Sequence, residues 1–404
     1  MSRRVLVLNT GSSSVKYSLL DADSGAVDAS GLAERIGEDA GGRLVHRGPA
    51  GESVEELDLP DHETALRAVL GAFSSHGPSL DHAGLVAVGH RVVHGGDRFA
   101  EPALVDDELL TAVRDLVPLA PLHNPANLEG LRVARRVLPD VPQVAVFDTA
   151  FHATLPPSAY TYAVPREWQH GHGVRRYGFH GTSHAYVSRE AARLVGLAPQ
   201  DANVIVLHLG NGASACAVAG GRSVETSMGL TPLEGLVMGT RSGDVDPALA
   251  VHLHRVAGLG LEEVDSALNR SSGLLALAGA GDLREVQRRA GGHGEQAERA
   301  RLALDVYCHR IRKYVGAYYA VLGHVDAIAF TAGVGENDAV VRERSLAGLE
   351  RLGIRIDPRR NSACETGSRV ISADDSDVAV LVVPTNEELE IARQAVALVA
   401  ARAG

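Results

Sequence analysis

One piece of chain grammar, used twice, constrains the fold more than any other feature. Val5-Leu-Val-Leu is a short β-like run, Asn9-Thr-Gly-Ser-Ser-Ser is a polar turn, and Val15-Lys-Tyr-Ser-Leu-Leu alternates with period two, so strand, tight turn and strand are predicted in that order. About 200 residues later the pattern returns as Val204-Ile-Val-Leu, His208-Leu-Gly-Asn-Gly-Ala-Ser and Ala215-Cys-Ala-Val. Two such hairpins predict a duplicated domain. The 404 residues also exceed what one hydrophobic core usually holds, so two domains with a cleft between them are expected.

The remaining segments predict α/β halves. Ala87-Val-Gly-His-Arg-Val-Val and Gln143-Val-Ala-Val-Phe read as buried strands, and Asp106–Val117 and Pro125–Val137 carry helical spacing. A third turn, hairpin-like or strand-to-helix, lies at Ala327-Ile-Ala-Phe-Thr-Ala-Gly-Val-Gly-Glu-Asn, and a strand at Val378-Ala-Val-Leu-Val-Val ends at Pro384. Glu387 to Ala401 reads as a C-terminal helix, and Ala290–Gly294 as a loop tip.

Composition narrows the partners. A formal net charge of −11 gives no basic footprint for nucleic acid or an anionic membrane, so an anionic substrate must be held by local cations. Three widely spaced cysteines fit neither a disulfide framework nor a CxxC metal site, and no run of ~18 apolar residues occurs. A cytoplasmic protein is expected. Lys16 and Lys313 are the only lysines, which draws attention to a lysine beside a Gly/Ser turn.

Backbone N–H groups in glycine- and serine-rich turns are good phosphate ligands, because the main chain can approach the anion closely. The Asn9–Lys16 turn supplies such donors with the Ser12 and Ser14 hydroxyls and the Lys16 ammonium; by itself it is also compatible with an ordinary hairpin tip. It is not a Walker A loop, since it leads into a strand. Gly279-Ala-Gly does not begin a dinucleotide fingerprint, since Arg284 stands where a third glycine is needed. His90 and His94, and the group His170, His172, His180 and His184, lack the acidic or cysteine company of a zinc site.

These residues, taken together, resemble the acetate kinase family. Asn9-Thr-Gly-Ser-Ser-Ser-Val-Lys16 resembles its first signature and Gly178-Phe-His-Gly-Thr-Ser-His184 its second. The likeness continues through Gly89-His-Arg-Val-Val-His-Gly-Gly96, Leu119-Ala-Pro-Leu-His-Asn-Pro125, Val146-Phe-Asp-Thr-Ala-Phe-His152, Thr226–Pro247 and Pro384-Thr-Asn-Glu-Glu-Leu389, and so covers essentially the whole chain. Thr10 stands where many members carry alanine. The resemblance implies the fold of the sugar kinase, heat-shock ATPase and actin superfamily: two duplicated actin-like α/β domains, each a mixed sheet flanked by helices, around a central nucleotide cleft. Residues 1–150 with 385–404 would form one domain. Residues 151–384 would form the other, which binds nucleotide and carries a homodimer interface.

The implied reaction is reversible, magnesium-dependent transfer of the ATP γ-phosphoryl group to acetate, giving acetyl phosphate and ADP, with manganese able to replace magnesium. Such transfer needs positioning, a metal on the phosphates and cations around the moving group. By the resemblance, Arg91 meets the carboxylate, Arg241 the phosphoryl group, and His180, supported by His123, donates to phosphoryl oxygens. Asn9 and Glu387 are the metal positions. Asp148 is a proton acceptor in the family reading, yet acetate is already ionised at neutral pH, so orienting a metal-bound water or an arginine is the alternative. Nucleotide contacts fall on Lys16, Ser12 and Ser14, on His208, Leu209, Gly210, Asn211 and Gly212, on Asp282, Leu283 and Arg284, and on Gly333, Val334, Gly335, Glu336 and Asn337. Val93, Leu122, Phe179 and Pro232 form the methyl pocket. Two other readings stay open: a propionate kinase of the same fold, and an actin-like filament protein or heat-shock-type ATPase.

Overall fold

The structure, a computed structural model, describes residues 3–39, 41–80 and 84–403. The chain divides into two compact units, Met1–Phe151 with Asn386–Gly404, and His152–Thr385.

The first unit contains β1 (Arg4–Thr10), β2 (Ser14–Asp21), β3 (Val27–Glu34), β4 (Gly42–Gly48), β5 (Gly51–Leu57), α1 (His62–His76), β6 (Leu85–Val92), β7 (Ala103–Leu104), α2 (Asp107–Asp115), α3 (Asn124–Val137) and β8 (Gln143–Phe147). Its sheet runs β5-β4-β3-β2-β1-β6-β8-β7, with β1 to β5 an antiparallel meander and β1, β6 and β8 parallel. Parallel strands are covered on both faces, which is why β6 and β8 read as apolar runs rather than alternating ones. Each predicted helix has local chemistry behind it. Asp106 caps α2 by accepting from Leu109 N at 2.8 Å, and Pro125 in the first turn of α3 gives up an N–H that needs no partner there.

Between the sheet and helices α1 and α3 lies a core of Leu6, Leu8, Tyr17, Leu19, Leu66, Val69, Phe73 and Val133. The buried Tyr17 hydroxyl bonds His46 Nδ1 at 2.8 Å, and its ring lies over the cross-strand Gly31, where a Cβ would stand 2.3 Å from the Tyr17 hydroxyl oxygen. Glycine is therefore needed at 31 for space, not for φ.

The second unit contains α4 (Pro157–Tyr160), α5 (Arg166–His172), α6 (Gly181–Leu194), β9 (Asn203–Leu209), β10 (Ala213–Ala219), β11 (Arg222–Thr226), α7 (Ala248–Ala257), α8 (Leu261–Arg270), α9 (Gly273–Ala278), α10 (Leu283–Ala290), α11 (Glu295–Leu322), β12 (Ala327–Thr331), α12 (Ala332–Asn337), α13 (Ala339–Leu346), α14 (Pro358–Ser362), β13 (Arg369–Val370) and β14 (Ala379–Val382). The chain then returns to the first unit as α15 (Glu387–Ala403). The second sheet runs β11-β10-β9-β12-β14-β13.

The duplication read from the two hairpins is explicit in the pairing. β3-β2-β1-β6-β8 in one unit and β11-β10-β9-β12-β14 in the other each carry two antiparallel pairings followed by two parallel ones. The third turn is the strand-to-helix one, from β12 into α12. Sequence patterning gave no separate account of β3 to β5 or of the 28-residue α11.

One buried cation ties the second unit together. Arg342 on α13 is 1% exposed and donates to Asn361 Oδ1 (2.7 Å), Asn361 O (2.8 Å), Gly335 O (2.9 Å) and Glu336 O (3.0 Å). Burial, aided by the nearby Arg369 charge, pushes its guanidinium down to about 10. Arg342→Met keeps an apolar stem but strands these acceptors, so an equilibrium denaturation should show a loss of about 3 kcal/mol; an unchanged midpoint would refute this account of the end of α12.

Candidate active site

In open α/β sheets, ligand-binding groups collect beyond the carboxyl ends of parallel strands. In the first unit Asn9 is the penultimate residue of β1, Arg91 lies one residue from the end of β6, and Asp148 follows β8, its N–H donating to Val92 O at 2.9 Å. Arg91 presents a two-pronged fork to Asp148, Nε to Oδ1 at 3.1 Å and Nη2 to Oδ2 at 2.6 Å. The Asp148 side chain is 1% exposed, and Glu387 Oε2 lies 3.9 Å from Arg91 Nε. Burial is the largest single influence on Arg91 and opposes its charge, but Asp148 and Glu387 together outweigh it and hold the guanidinium above its ordinary pKa.

The Asn9–Lys16 turn closes by Gly11 N donating to Ser14 O at 2.8 Å, while His62 Nε2 donates to Gly11 O at 2.8 Å. Ser12 is exposed and Ser14 half-buried. Lys16, directly across the ladder from Asn9, places its Nζ 2.6 Å from Glu388 Oε1. Burial favours the neutral form of Glu388, and the Lys16 ammonium reverses this, holding the carboxyl below its usual range. The ammonium that the sequence reading reserved for phosphate is thus engaged by a carboxylate.

Two asparagines that sequence reasoning did not single out hold this edge in place. Asn127 on α3 donates from Nδ2 to Thr10 O (2.9 Å) and accepts at Oδ1 from Val93 N (3.0 Å), clamping the ends of β1 and β6. Asn124 pairs with both His94 N and His94 O. Asn124 lay inside a quoted motif; Asn127 carried no signal. His123 is half-buried just before α3, Val93 is buried and Leu122 is 52% exposed.

His90 and His94 are occupied by structure. His90 Nε2 meets Gln143 Oε1 at 2.8 Å, and burial pushes its pKa down to about 4; His94 Nδ1 accepts from Gly96 N at 3.0 Å. Among the described residues no group of three or more His, Cys, Asp or Glu is placed to hold a metal. Asn9 and Glu387 remain as hard oxygen donors of the kind magnesium takes one or two at a time, filling its shell with water and phosphate.

In the second unit the β9–β10 turn closes by Gly210 N donating to Gly212 O at 3.0 Å. A Cβ on Gly212 would lie 3.6 Å from Arg241 Nη1 and 3.8 Å from His180 Nε2, so the glycine turn, Arg241 and His180 converge on one spot. A Cβ on Gly239 would stand 2.1 Å from Asn211 Oδ1, which explains the glycine two residues before Arg241. Arg241 donates to Pro232 O at 3.1 Å and, among the described residues, pairs with no carboxylate; burial lowers its pKa. His180 opens α6 at φ 56°, a left-handed conformation that is strained for a non-glycine residue. Its ring stacks on His208 at 4.2 Å between centroids, and Phe179 beside it is buried.

Half of the predicted nucleotide residues share one cavity of about 830 Å³ in this unit, within the usual range for small-molecule pockets. Gly210, Asn211, Asp282, Leu283, Arg284, Gly333, Val334 and Asn337 line it, joined by Leu274, Tyr307 and Val340, which the sequence did not mark. Asp282 caps α10 through Arg284 N, and its carboxylate also accepts from Arg284 Nη2 at 2.6 Å. Gly335 and Glu336 lie behind this lining, their carbonyls held by Arg342 and Glu336 Oε1 accepting from Thr385 N at 3.2 Å. Leu209 is fully buried within β9 and can offer a ligand only main-chain groups; His208, also on β9, bonds Ser183 Oγ through Nδ1 at 2.8 Å.

Residues 4–393 match the model of the acetokinase family. The chain is 59% identical over 400 residues to an acetate kinase of Streptomyces coelicolor, covering 98% of this chain and 97% of that one. Among solved structures it is similar to an acetate kinase of Porphyromonas gingivalis (44% identity, TM-score 0.93, 98% of this chain and 100% of the other) and to a propionate kinase of Francisella tularensis (41%, TM-score 0.90, 97% and 98%). A match along almost the whole length, together with a glycine turn, a half-buried arginine and a cavity of about 830 Å³ in one unit, means that this chain belongs to the acetokinase family.

Proposed function

We propose that the protein catalyses the acetate kinase reaction, moving the γ-phosphoryl group of ATP onto acetate, reversibly and by direct in-line displacement. The observation that carries this reading is Arg241: a half-buried guanidinium without a carboxylate partner among the described residues, beside the Gly210–Gly212 turn and the His180 ring. A partly desolvated cation of this kind costs free energy until an anion meets it, and a phosphoryl group gathering charge on its equatorial oxygens is such an anion.

ATP is placed in the 830 Å³ cavity, with its phosphates toward the glycine turn. Acetate is assigned to Arg91, whose fork is oriented by Asp148. An acetate oxygen attacks the γ-phosphorus as the bond to the β-bridging oxygen breaks, and ADP leaves with that electron pair. No proton need be taken from acetate, so the bidentate pairing supports Asp148 as the group that orients Arg91 rather than as a base. Magnesium, or manganese in its place, would be held by Asn9 and Glu387 and would supply charge neutralisation on the phosphates. His123 is assigned to support the phosphoryl group, and Val93, Leu122, Phe179 and Pro232 to the acyl methyl.

A second reading, propionate as the preferred acid, is favoured by the likeness to a propionate kinase. One methylene is worth only ~1–3 kcal/mol in such a pocket. Hydroxylamine trapping of acyl phosphate with ATP, magnesium and a series of short carboxylates tests both readings. The largest kcat/KM is expected for acetate; a preference for propionate would move the assignment, and no acyl phosphate with any acid would end it in favour of a non-kinase ATPase.

No helix among the described residues is long and apolar enough to cross a membrane. Cys216, Cys308 and Cys364 are all unpaired, which supports work in the reducing cytoplasm. A homodimer through the second unit is supported by α7, an apolar helix with no buried residue and with Val251 and Val256 exposed at 49% and 64%. Sedimentation should give a dimer that Val251→Asp weakens; a monomer at micromolar concentration would reject it.

The residue roles generate two kinetic expectations. Arg91→Ala should raise the KM for acetate as well as lower kcat, whereas Arg241→Ala should act mainly on kcat, by ~10²–10³-fold; an Arg241→Ala effect confined to KM would reverse the allocation. Glu387→Ala should abolish most divalent-dependent activity while circular dichroism stays native, and full retained activity would remove it from the metal site.

A further inference from the structure

We propose that Ser214 and His184 are positioning residues that fix His180 as a neutral imidazole with its proton on Nε2, the atom turned toward Gly212. The proposal rests on the reading of His180 as a donor to the phosphoryl group, and its test keeps the two apart.

Ser214 is fully buried on β10, and its hydroxyl oxygen lies 2.8 Å from His180 Nδ1 and 2.8 Å from His184 Nε2. A hydroxyl has one proton, so it donates to one ring and accepts from the other. The direction is set at the far end. His184 is fully buried and its Nδ1 has no hydrogen-bond partner among the described residues, which leaves two possible neutral forms. A proton on Nδ1 would bury an unpaired N–H, the rarer and costlier defect, while a proton on Nε2 is used in a bond and leaves only a bare lone pair at Nδ1. Burial, with His152 and His208 nearby, holds the His184 pKa well below its ordinary value, which agrees with a neutral ring.

With His184 Nε2–H donating, Ser214 Oγ accepts there and must give its own proton to His180 Nδ1. His180 Nδ1 is then an acceptor, and the one proton of the neutral ring sits on Nε2. An imidazolium at His180 would donate from Nδ1 as well and leave the Ser214 hydroxyl proton with no acceptor. The stack on His208 sets the plane of the ring, and the left-handed backbone at His180 sets where the ring leaves the chain. The result is an N–H donor aimed at the spot shared with Arg241 and Gly212, with the opposite nitrogen committed to the relay.

The direct test is ¹⁵N NMR of the full-length protein labelled at histidine ring nitrogens, with the His180 signals identified by their absence in His180→Ala. An imine-type shift at His180 Nδ1 and a pyrrole-type shift at Nε2 are expected. A pyrrole-type Nδ1 overturns the proposal, and this measurement on the wild-type chain stands even if a variant misfolds. For the kinetic arm, Ser214→Ala should lower kcat ~10-fold with the KM for ATP and acetate little changed, and His184→Leu should do the same. His184→Gln, which retains an N–H donor near the Nε2 position, should restore most of kcat, a rescue that a purely structural role would not give. If His180→Ala lowers kcat while Ser214→Ala does not, the relay is wrong; if His180→Ala itself leaves kcat intact, the phosphoryl-donor reading of His180 fails instead.

Discussion

The polar edge of the first unit depends on the pairing of the half-buried Arg91 with the buried Asp148. Asp148 is almost fully desolvated, and a carboxylate in that position persists only if a cation meets it with good geometry. The fork provides this through Nε and Nη2, and the remaining Nη1 makes no hydrogen bond among the described residues. The backbone must hold the two strand ends in register for this to happen. Parallel pairing of Arg91 with Val146 does most of it, and the Asn127 clamp between Thr10 and Val93 does the rest. Charge, ladder and clamp are therefore one cooperative arrangement, in which losing any part leaves a buried group without its partner.

The two key arginines are in opposite electrostatic states. Arg91 is compensated by carboxylates, whose field outweighs burial and holds its pKa up. Arg241 is half-buried with no carboxylate to compensate it among the described residues, and its pKa is held down. A cation already balanced can hold a substrate carboxylate without a large change in local field. An unbalanced one gains most when negative charge arrives or grows beside it. That difference is the physical basis of the proposed split, with substrate binding assigned to Arg91 and transition-state stabilisation to Arg241.

Close approach of main chain is the second requirement of the site, and glycine supplies it in two different ways. Gly178 sits at φ 79°, with Thr226 and His152 where a side chain would go, so both conformation and space demand it. Gly239 has no such dihedral demand and is needed because Asn211 Oδ1 occupies the position of its Cβ. The Arg342 net works on the same scale, holding carbonyls behind the 830 Å³ cavity that no strand or helix could satisfy.

The sequence by itself determined the duplicated hairpins, the α/β character of both halves and the residue types of the site, because strand alternation, glycine turns and polar motifs are local signals. Arg91 and Arg241 stand out locally as arginines in glycine-flanked polar stretches, whereas Asn9 and His180 were marked by the resemblance of their motifs to the acetate kinase family. Partnership could not be read in either way. Nothing local says that Lys16 meets Glu388, 372 positions away, that Asn127 joins two strand ends, or that Tyr307 on a long amphipathic helix lines the cavity. The order of a sheet is equally invisible, since β1 lies between β2 and β6 only once the chain has crossed over. Local propensity acts over a few residues, whereas ion pairs, clamps and relays such as His184–Ser214–His180 join groups that come within 3 Å only after the core has closed, so tertiary structure alone decided which polar groups are paired and which remain for a ligand.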